Sequence, residues 1–131
     1  MVENATVCLT VLLVEDFEDS RFVIKRALEM RGSYRVVEAV NGQEALEIAR
    51  RGCPDLILMD LNLPLMDGIT ATRHIRDCKD ECQNVPIVAI TAYDAYGMEE
   101  AALEAGCDAY IPKPIDFDEL DRTLRRLLLG W

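Results

Sequence analysis

No uninterrupted apolar run in this chain approaches the roughly 20 residues that a membrane span needs. The first ten residues hold no basic region followed by a long apolar stretch, so no signal peptide is expected. There is no internal repeat, no low-complexity tract and no linker. Basic residues are in short supply: fourteen lysines and arginines stand against twenty-four acids, a net charge of −10. That balance disfavours general binding to nucleic acid or to an anionic lipid surface. The five cysteines (Cys8, Cys53, Cys78, Cys82 and Cys107) are odd in number and follow no disulfide or zinc pattern. Cys78 and Cys82 fall at i, i+4 on an expected helix, but no second pair accompanies them. Free thiols in a reducing compartment are the expectation. The chain reads as a soluble, cytoplasmic protein with no direct nucleic-acid or membrane partner.

What is present is enough for one compact domain. The chain has 131 residues, half of them hydrophobic, which is too short for two ordinary domains and sufficient for a real core. Residues 1–131 are read as a single domain with a core spanning about 8–128.

Strand-like and helix-like segments alternate five times. Apolar, β-branched or uninterrupted hydrophobic runs predict strands over 7–14, 34–39, 56–59, 86–90 and 109–111. Between and after them, helical spacing predicts helices over 19–31, 41–51, 67–79, 95–105 and a last one from Asp116. The first has Val23, Ile24, Ala27 and Leu28 as its apolar face. Asn41 with Glu44, and Asp116 with Glu119, form capping boxes. Gly32, Gly52 and Gly106 are stop signals. Leu120, Leu124, Leu127 and Leu128 mark the buried stripe of the last helix. Strands without alternation are buried on both faces, which predicts a parallel sheet covered by helices on each side: a doubly wound α/β domain.

In such a sheet a ligand binds beyond the carboxyl ends of the strands. The first strand ends on Glu15 and Asp16, the third on Asp60, the fourth on Thr91, and the fifth runs through Tyr110, Ile111 and Pro112 to Lys113. Only the second, ending at Ala39 and Val40, delivers no such group. Three carboxylates in one crevice repel one another unless a cation or protons intervene. Oxygen ligands without His or Cys suit a hard ion, and the D-x-D-x-D-G pattern of a calcium loop is absent, so Mg²⁺ is the expected cofactor. Lys113 and Thr91 add an ammonium and a hydroxyl opposite the metal, a site for a phosphoryl group. A carboxylate beside Mg²⁺ and Lys can accept it as nucleophile.

Four segments in order carry a resemblance that covers nearly the whole chain, from about Cys8 to Leu128. They are Leu12-Leu13-Val14-Glu15-Asp16, the run from Asp55 through Asp60 to Asp67-Gly68, Ile90-Thr91-Ala92, and Lys113-Pro114. Together they resemble the receiver domains of response regulators in two-component systems. The resemblance implies a flavodoxin-like fold with five strands in the order 2-1-3-4-5 and five helices. It implies that Asp60 takes a phosphoryl group from a sensor histidine kinase or a histidine phosphotransfer protein. Asp16, Asp60 and the carbonyl of Asn62 would hold Mg²⁺, with Glu15 acting on the metal through water. Thr91 and Lys113 would bind phosphoryl oxygens, small Ala92 would leave room for the group, and Tyr110 would follow Thr91 inward as a switch. The Lys113–Pro114 peptide would be cis. Asn62 and Tyr93 would tune the lifetime of the phosphorylated state. The output would be a conformational change on the face of the fourth helix, fifth strand and fifth helix, read by a downstream protein that the sequence does not name.

Other chemistries fit less well. A hydrolase passing through an aspartyl phosphate commonly has a second acid two residues after the nucleophile, and here Asn62 stands there, unable to donate a proton as a general acid. The expected protein is therefore not an enzyme beyond its own phosphorylation and dephosphorylation. A flavin module on the same fold needs a loop rich in Ser, Thr and Gly, whereas Glu15-Asp16-Phe17-Glu18-Asp19 repels a phosphate that lacks a cation. A receiver fold serving only as an interaction platform would not need the full acid set with Thr91 and Lys113. The single histidine, His74, is expected on the surface.

Overall fold

The computed structural model describes residues 8–92 and 97–130. Five strands alternate with five helices in the order β1 (Leu9–Val14), α1 (Glu18–Glu29), β2 (Tyr34–Ala39), α2 (Gly42–Arg51), β3 (Leu56–Asp60), α3 (Gly68–Asp77), β4 (Ile87–Thr91), α4 (Met98–Ala105), β5 (Ala109–Pro112) and α5 (Phe117–Leu129). All strand pairs are parallel and the sheet order is β2-β1-β3-β4-β5. The α/β architecture and strand order are those expected.

The central strands explain the two-sided cover. Successive side chains on a strand point to opposite faces, and in β3 Ile57 and Met59 join one core cluster while Leu56 and Leu58 join the other. The first cluster packs against Ala45 and Leu46 of α2, Ala71 and Ile75 of α3, and Ala102 of α4. The second packs against Ile24 and Leu28 of α1 and Leu120 and Leu124 of α5. Each fully buried leucine or isoleucine contributes roughly 1.5–3 kcal/mol of transfer free energy, so a strand apolar at every position is stable only between two helical layers.

Helix starts follow the capping chemistry. The Asn41 side chain accepts from the Glu44 N–H at 2.8 Å, but Glu44 reaches back to the N–H of Val40, one residue earlier than a closed capping box requires. Asp67 accepts from Thr70 N–H, and Asp116 from the N–H groups of Asp118 and Glu119. Boundaries move by a few residues: α1 stops at Glu29, β1 starts at Leu9, and β3 and β4 extend to include Asp60 and Thr91.

Two expectations are corrected. Val23 is 52% exposed, because α1 meets the sheet only through the Ile24–Leu28 row and turns its flank outward. Cys78 and Cys82 do not share a helix: Cys78 is the extended residue closing α3, and Cys82 lies in the following turn. His74 is on the surface, as expected. Among the described residues no helix is long and apolar enough to cross a membrane.

Candidate functional site

Strand register brings the polar residues together. Val14 pairs with Met59, Asp60 with Ile90, and Thr91 with Pro112, so the ends of β1, β3, β4 and β5 lie side by side. Loop hydrogen bonds lock these ends: Glu15 N–H donates to Ala39 O at 3.0 Å, Leu61 N–H to Ile90 O at 2.9 Å, and Lys113 N–H to Thr91 O at 2.8 Å. The Lys113–Pro114 peptide is cis.

Glu15, Asp16 and Asp60 form one acidic cluster, with a carboxylate oxygen from each lying within 4.8 Å of the others. Glu15 and Asp60 are buried and Asp16 is exposed at the mouth. The Lys113 ammonium donates to Glu15 Oε1 and lies 3.3 Å from Asp60 Oδ2. Glu15 Oε2 also accepts from the Phe17 N–H at 3.1 Å. Asp60 Oδ1 accepts from the Asn62 N–H at 2.9 Å, and Asn62 Nδ2 donates to Thr91 Oγ1 at 3.4 Å.

The electrostatics separate the two buried acids. Burial works to raise the pKa of Glu15, but the hydrogen bonds from Lys113, Asp60 and the Phe17 amide hold it below the ordinary carboxylate value. Asp60 is pushed up to about 7, first by burial and then by the hydrogen bond and repulsion it shares with Glu15, against the pull of the Asn62 amide and Lys113. Burial opposes the charge on Lys113, yet the two acids hold its pKa above the usual lysine range. One ammonium does not neutralise three carboxylates. The remaining charge is relieved by a proton on the Glu15–Asp60 pair or by a cation, and an all-oxygen donor set with an exposed mouth fits a hard divalent ion.

Thr91 is almost fully buried beside Asn62, Ala92 is exposed next to it, and Tyr110 is half-buried on the neighbouring strand. Tyr93 lies outside the described residues. Pro114 and Lys113 border an apolar recess that also takes in Phe17, Val23 and Phe117.

Two contributors escaped the sequence reading. The Arg21 guanidinium donates to the Glu15 carbonyl at 3.1 Å and to Glu38 Oε1 at 2.9 Å, fastening α1 to the acidic loop. Gly68 packs so closely that a Cβ would sit 2.3 Å from the Asp60 carbonyl oxygen and 2.9 Å from Leu61 Cα. The Asp67-Gly68 pair signalled a helix start; nothing local signalled that the helix end abuts β3.

Residues 11–125 match the family model described as the response regulator receiver domain. The polar-differentiation response regulator DivK of Brucella anthropi is 39% identical over 119 residues, covering 91% of this chain and 95% of that protein. Among solved structures, the receiver domain of the sensor histidine kinase PA1611 from Pseudomonas aeruginosa is 41% identical. It has a TM-score of 0.84 over 92% of this chain and 97% of that one, and it carries a magnesium ion coordinated in its active-site cleft. The chemotaxis response regulator CheY4 of Vibrio cholerae is similar at 27% identity and a TM-score of 0.83, covering 92% of this chain and 99% of that one.

Proposed function

This chain belongs to the response regulator receiver domain family of two-component systems, and on that premise we propose that Asp60 is its phosphoacceptor, served by Mg²⁺ at Glu15, Asp16, Asp60 and the carbonyl of Asn62. The observation that carries the reading is the meeting of three carboxylates from two strand ends with the Lys113 ammonium against Asp60. When bound, Mg²⁺ neutralises the carboxylates and polarises a phosphoryl group. The rest is done by side chains. A carboxylate oxygen of Asp60 attacks phosphorus, and the P–N bond to the donor histidine of a sensor kinase or phosphotransfer protein breaks. Lys113 pairs with a phosphoryl oxygen, and Ala92 leaves that space open.

The phosphoryl group adds about −2 charge and strong acceptors. Thr91 turns toward it, Tyr110 follows, and the face built from α4, β5 and α5 changes its population of conformers for a downstream protein to read. With Asn62 rather than an acid two residues after Asp60, the chain is a switch and not a turnover phosphatase. Asn62 and Tyr93 set the lifetime of the acyl phosphate. The whole chain acts as one receiver unit, and a cytoplasmic site of action goes with the same reading.

The test is labelling by acetyl phosphate or beryllofluoride with Mg²⁺. Wild type is expected to be modified and Asp60→Asn to stay unmodified in either reagent. Full labelling of Asp60→Asn, or labelling of wild type unaffected by EDTA, overturns the assignment.

A further inference from the structure

β2 supplies none of the three clustered carboxylates, yet it holds the loop that carries two of them. Val14 pairs with Ala39, and the Ala39 carbonyl accepts the Glu15 N–H at 3.0 Å. Glu38, the residue before Ala39, turns its carboxylate toward α1: Oε1 accepts from Arg21 Nε at 2.9 Å and Oε2 from Lys25 at 3.1 Å. Burial works to raise the pKa of Glu38, but those two donors hold it below the ordinary carboxylate value, so it stays charged at neutral pH. The Arg21 side chain is 16% exposed, and its Nη1 donates to the Glu15 carbonyl at 3.1 Å. That carbonyl belongs to the peptide joining Glu15 to Asp16. A peptide is planar and turns as a unit, so a donor fixed on its oxygen sets the directions in which both acids leave the backbone. The guanidinium is itself a rigid plane, and with Nε held by Glu38 the aim of Nη1 is fixed.

We propose that Arg21 is a positioning residue for the metal: aimed by Glu38, it locks the Glu15–Asp16 peptide in the orientation that gathers both carboxylates with Asp60, and so sets the affinity for Mg²⁺. The proposal rests on the reading of Glu15, Asp16 and Asp60 as the Mg²⁺ site. Arg21 acts through the Glu15 carbonyl and not through its charge. Its charge alone would do the opposite, because a cation near an acidic cluster competes with a second cation, and removing it would tighten Mg²⁺ binding. A hydrogen-bond partner that orients the ligands works the other way, and its loss weakens the metal. The two effects differ in sign. Orientation wins, because the guanidinium is tied to the loop at one end while its charge is already met by Glu38 at 2.9 Å. β2 thereby takes part in the site from outside it, through the Ala39 carbonyl on one peptide and through Glu38 and Arg21 on the next.

The test measures Mg²⁺ binding by isothermal titration calorimetry on the full chain, wild type against Arg21→Met, Arg21→Lys and Glu38→Gln, at a temperature where circular dichroism shows each to be folded. Arg21→Met is expected to bind Mg²⁺ about tenfold more weakly. Arg21→Lys keeps one ammonium that reaches the carbonyl or Glu38 but not both in a fixed fork, and it should fall between the two. Glu38→Gln should lose affinity with Arg21 present and much less in the Arg21→Met background, since it acts through Arg21. A readout without metal accompanies these: in EDTA the Phe17 amide, which Glu15 Oε2 accepts at 3.1 Å, should exchange its hydrogen faster in Arg21→Met, while the Leu13 amide within β1 is unchanged. A merely structural arginine would lower the urea midpoint and leave the Mg²⁺ affinity of the folded protein as it was. Affinity in Arg21→Met that is unchanged or tighter overturns the proposal, and an equal loss from Glu38→Gln in both backgrounds overturns the link through Glu38. Wild type that fails to bind Mg²⁺ defeats the metal site itself, an outcome distinct from wild type that binds with Arg21→Met its equal.

Discussion

The ammonium nitrogen of Lys113 stands 3.3 Å from Oδ2 of Asp60 while donating to the Glu15 carboxylate. One cation thus spans both buried acids from a different strand. Replacing it by Met removes the charge and keeps most of the side-chain volume. Phosphoryl transfer to Asp60 then loses a fixed positive group at the developing charge, and the acetyl phosphate labelling rate is expected to fall on the order of 100-fold. Mg²⁺ affinity should hold or increase, because the acids lose a competing cation. Fluorescence titration with Mg²⁺ alongside labelling kinetics separates the two effects; equal loss of both contradicts the assigned role.

Gly68 and Gly52 should behave oppositely. A methyl group at Gly68 would be driven into the Asp60 carbonyl and Leu61 Cα, which are backbone and cannot move aside cheaply. Gly68→Ala is expected to cost about 2 kcal/mol or more and to weaken Mg²⁺ binding by displacing Asp60. Gly52 has extended backbone, and its methyl would meet nothing within 4 Å. Gly52→Ala should stay within about 0.5 kcal/mol of wild type. Urea unfolding of the two variants checks the contrast.

Much of this arrangement can be read in the chain before the structure is seen, and the reason is physical. Leu56-Ile57-Leu58-Met59 has no polar position, so it belongs inside a two-layered sheet, and the acid that follows it must emerge at the carboxyl edge. The same argument places Asp16, Thr91 and Lys113. What cannot be read is contact between elements remote in sequence. Val23 fits the apolar period of α1, yet only the Ile24–Leu28 row meets the sheet. Nothing in the spacing of Gly68 reveals the Asp60 carbonyl beneath it. Such pairings depend on packing distances that periodicity does not encode.

Arg76 is another long-range contact. Its guanidinium donates to the Gly106 carbonyl from Nε at 3.0 Å and Nη2 at 2.8 Å, to the Gln83 carbonyl at 2.8 Å, and to Asp108 Oδ2 at 3.1 Å. It fastens α3 to the turn between α4 and β5. Arg76→Met should leave those carbonyls without a charged donor and cost about 2 kcal/mol, with faster amide hydrogen exchange at residues 105–108 as the local sign. Unchanged exchange there would show that the turn holds itself.

The acidic cluster predicts how stability depends on pH in the absence of metal. The folded-state pKa of Asp60 is about 7, against an ordinary carboxyl value of 3.8 in the unfolded chain. Below about pH 4 the group is protonated in both states and contributes nothing. Between pH 4 and 7 the unfolded chain ionises while the folded protein still holds the proton, so the folded state loses stability as pH rises. Above pH 7 both states are ionised and the deficit is constant. Asparagine at this position cannot ionise and can keep an oxygen acceptor for the Asn62 amide. Asp60→Asn in EDTA should therefore melt near wild type at pH 4 and pull ahead as pH rises, levelling off above pH 7 at no more than about 4 kcal/mol. Saturating Mg²⁺ should reverse the order, because it binds the wild-type carboxylate and stabilises only the folded state. A Tm difference that shrinks with rising pH in EDTA would contradict the raised pKa.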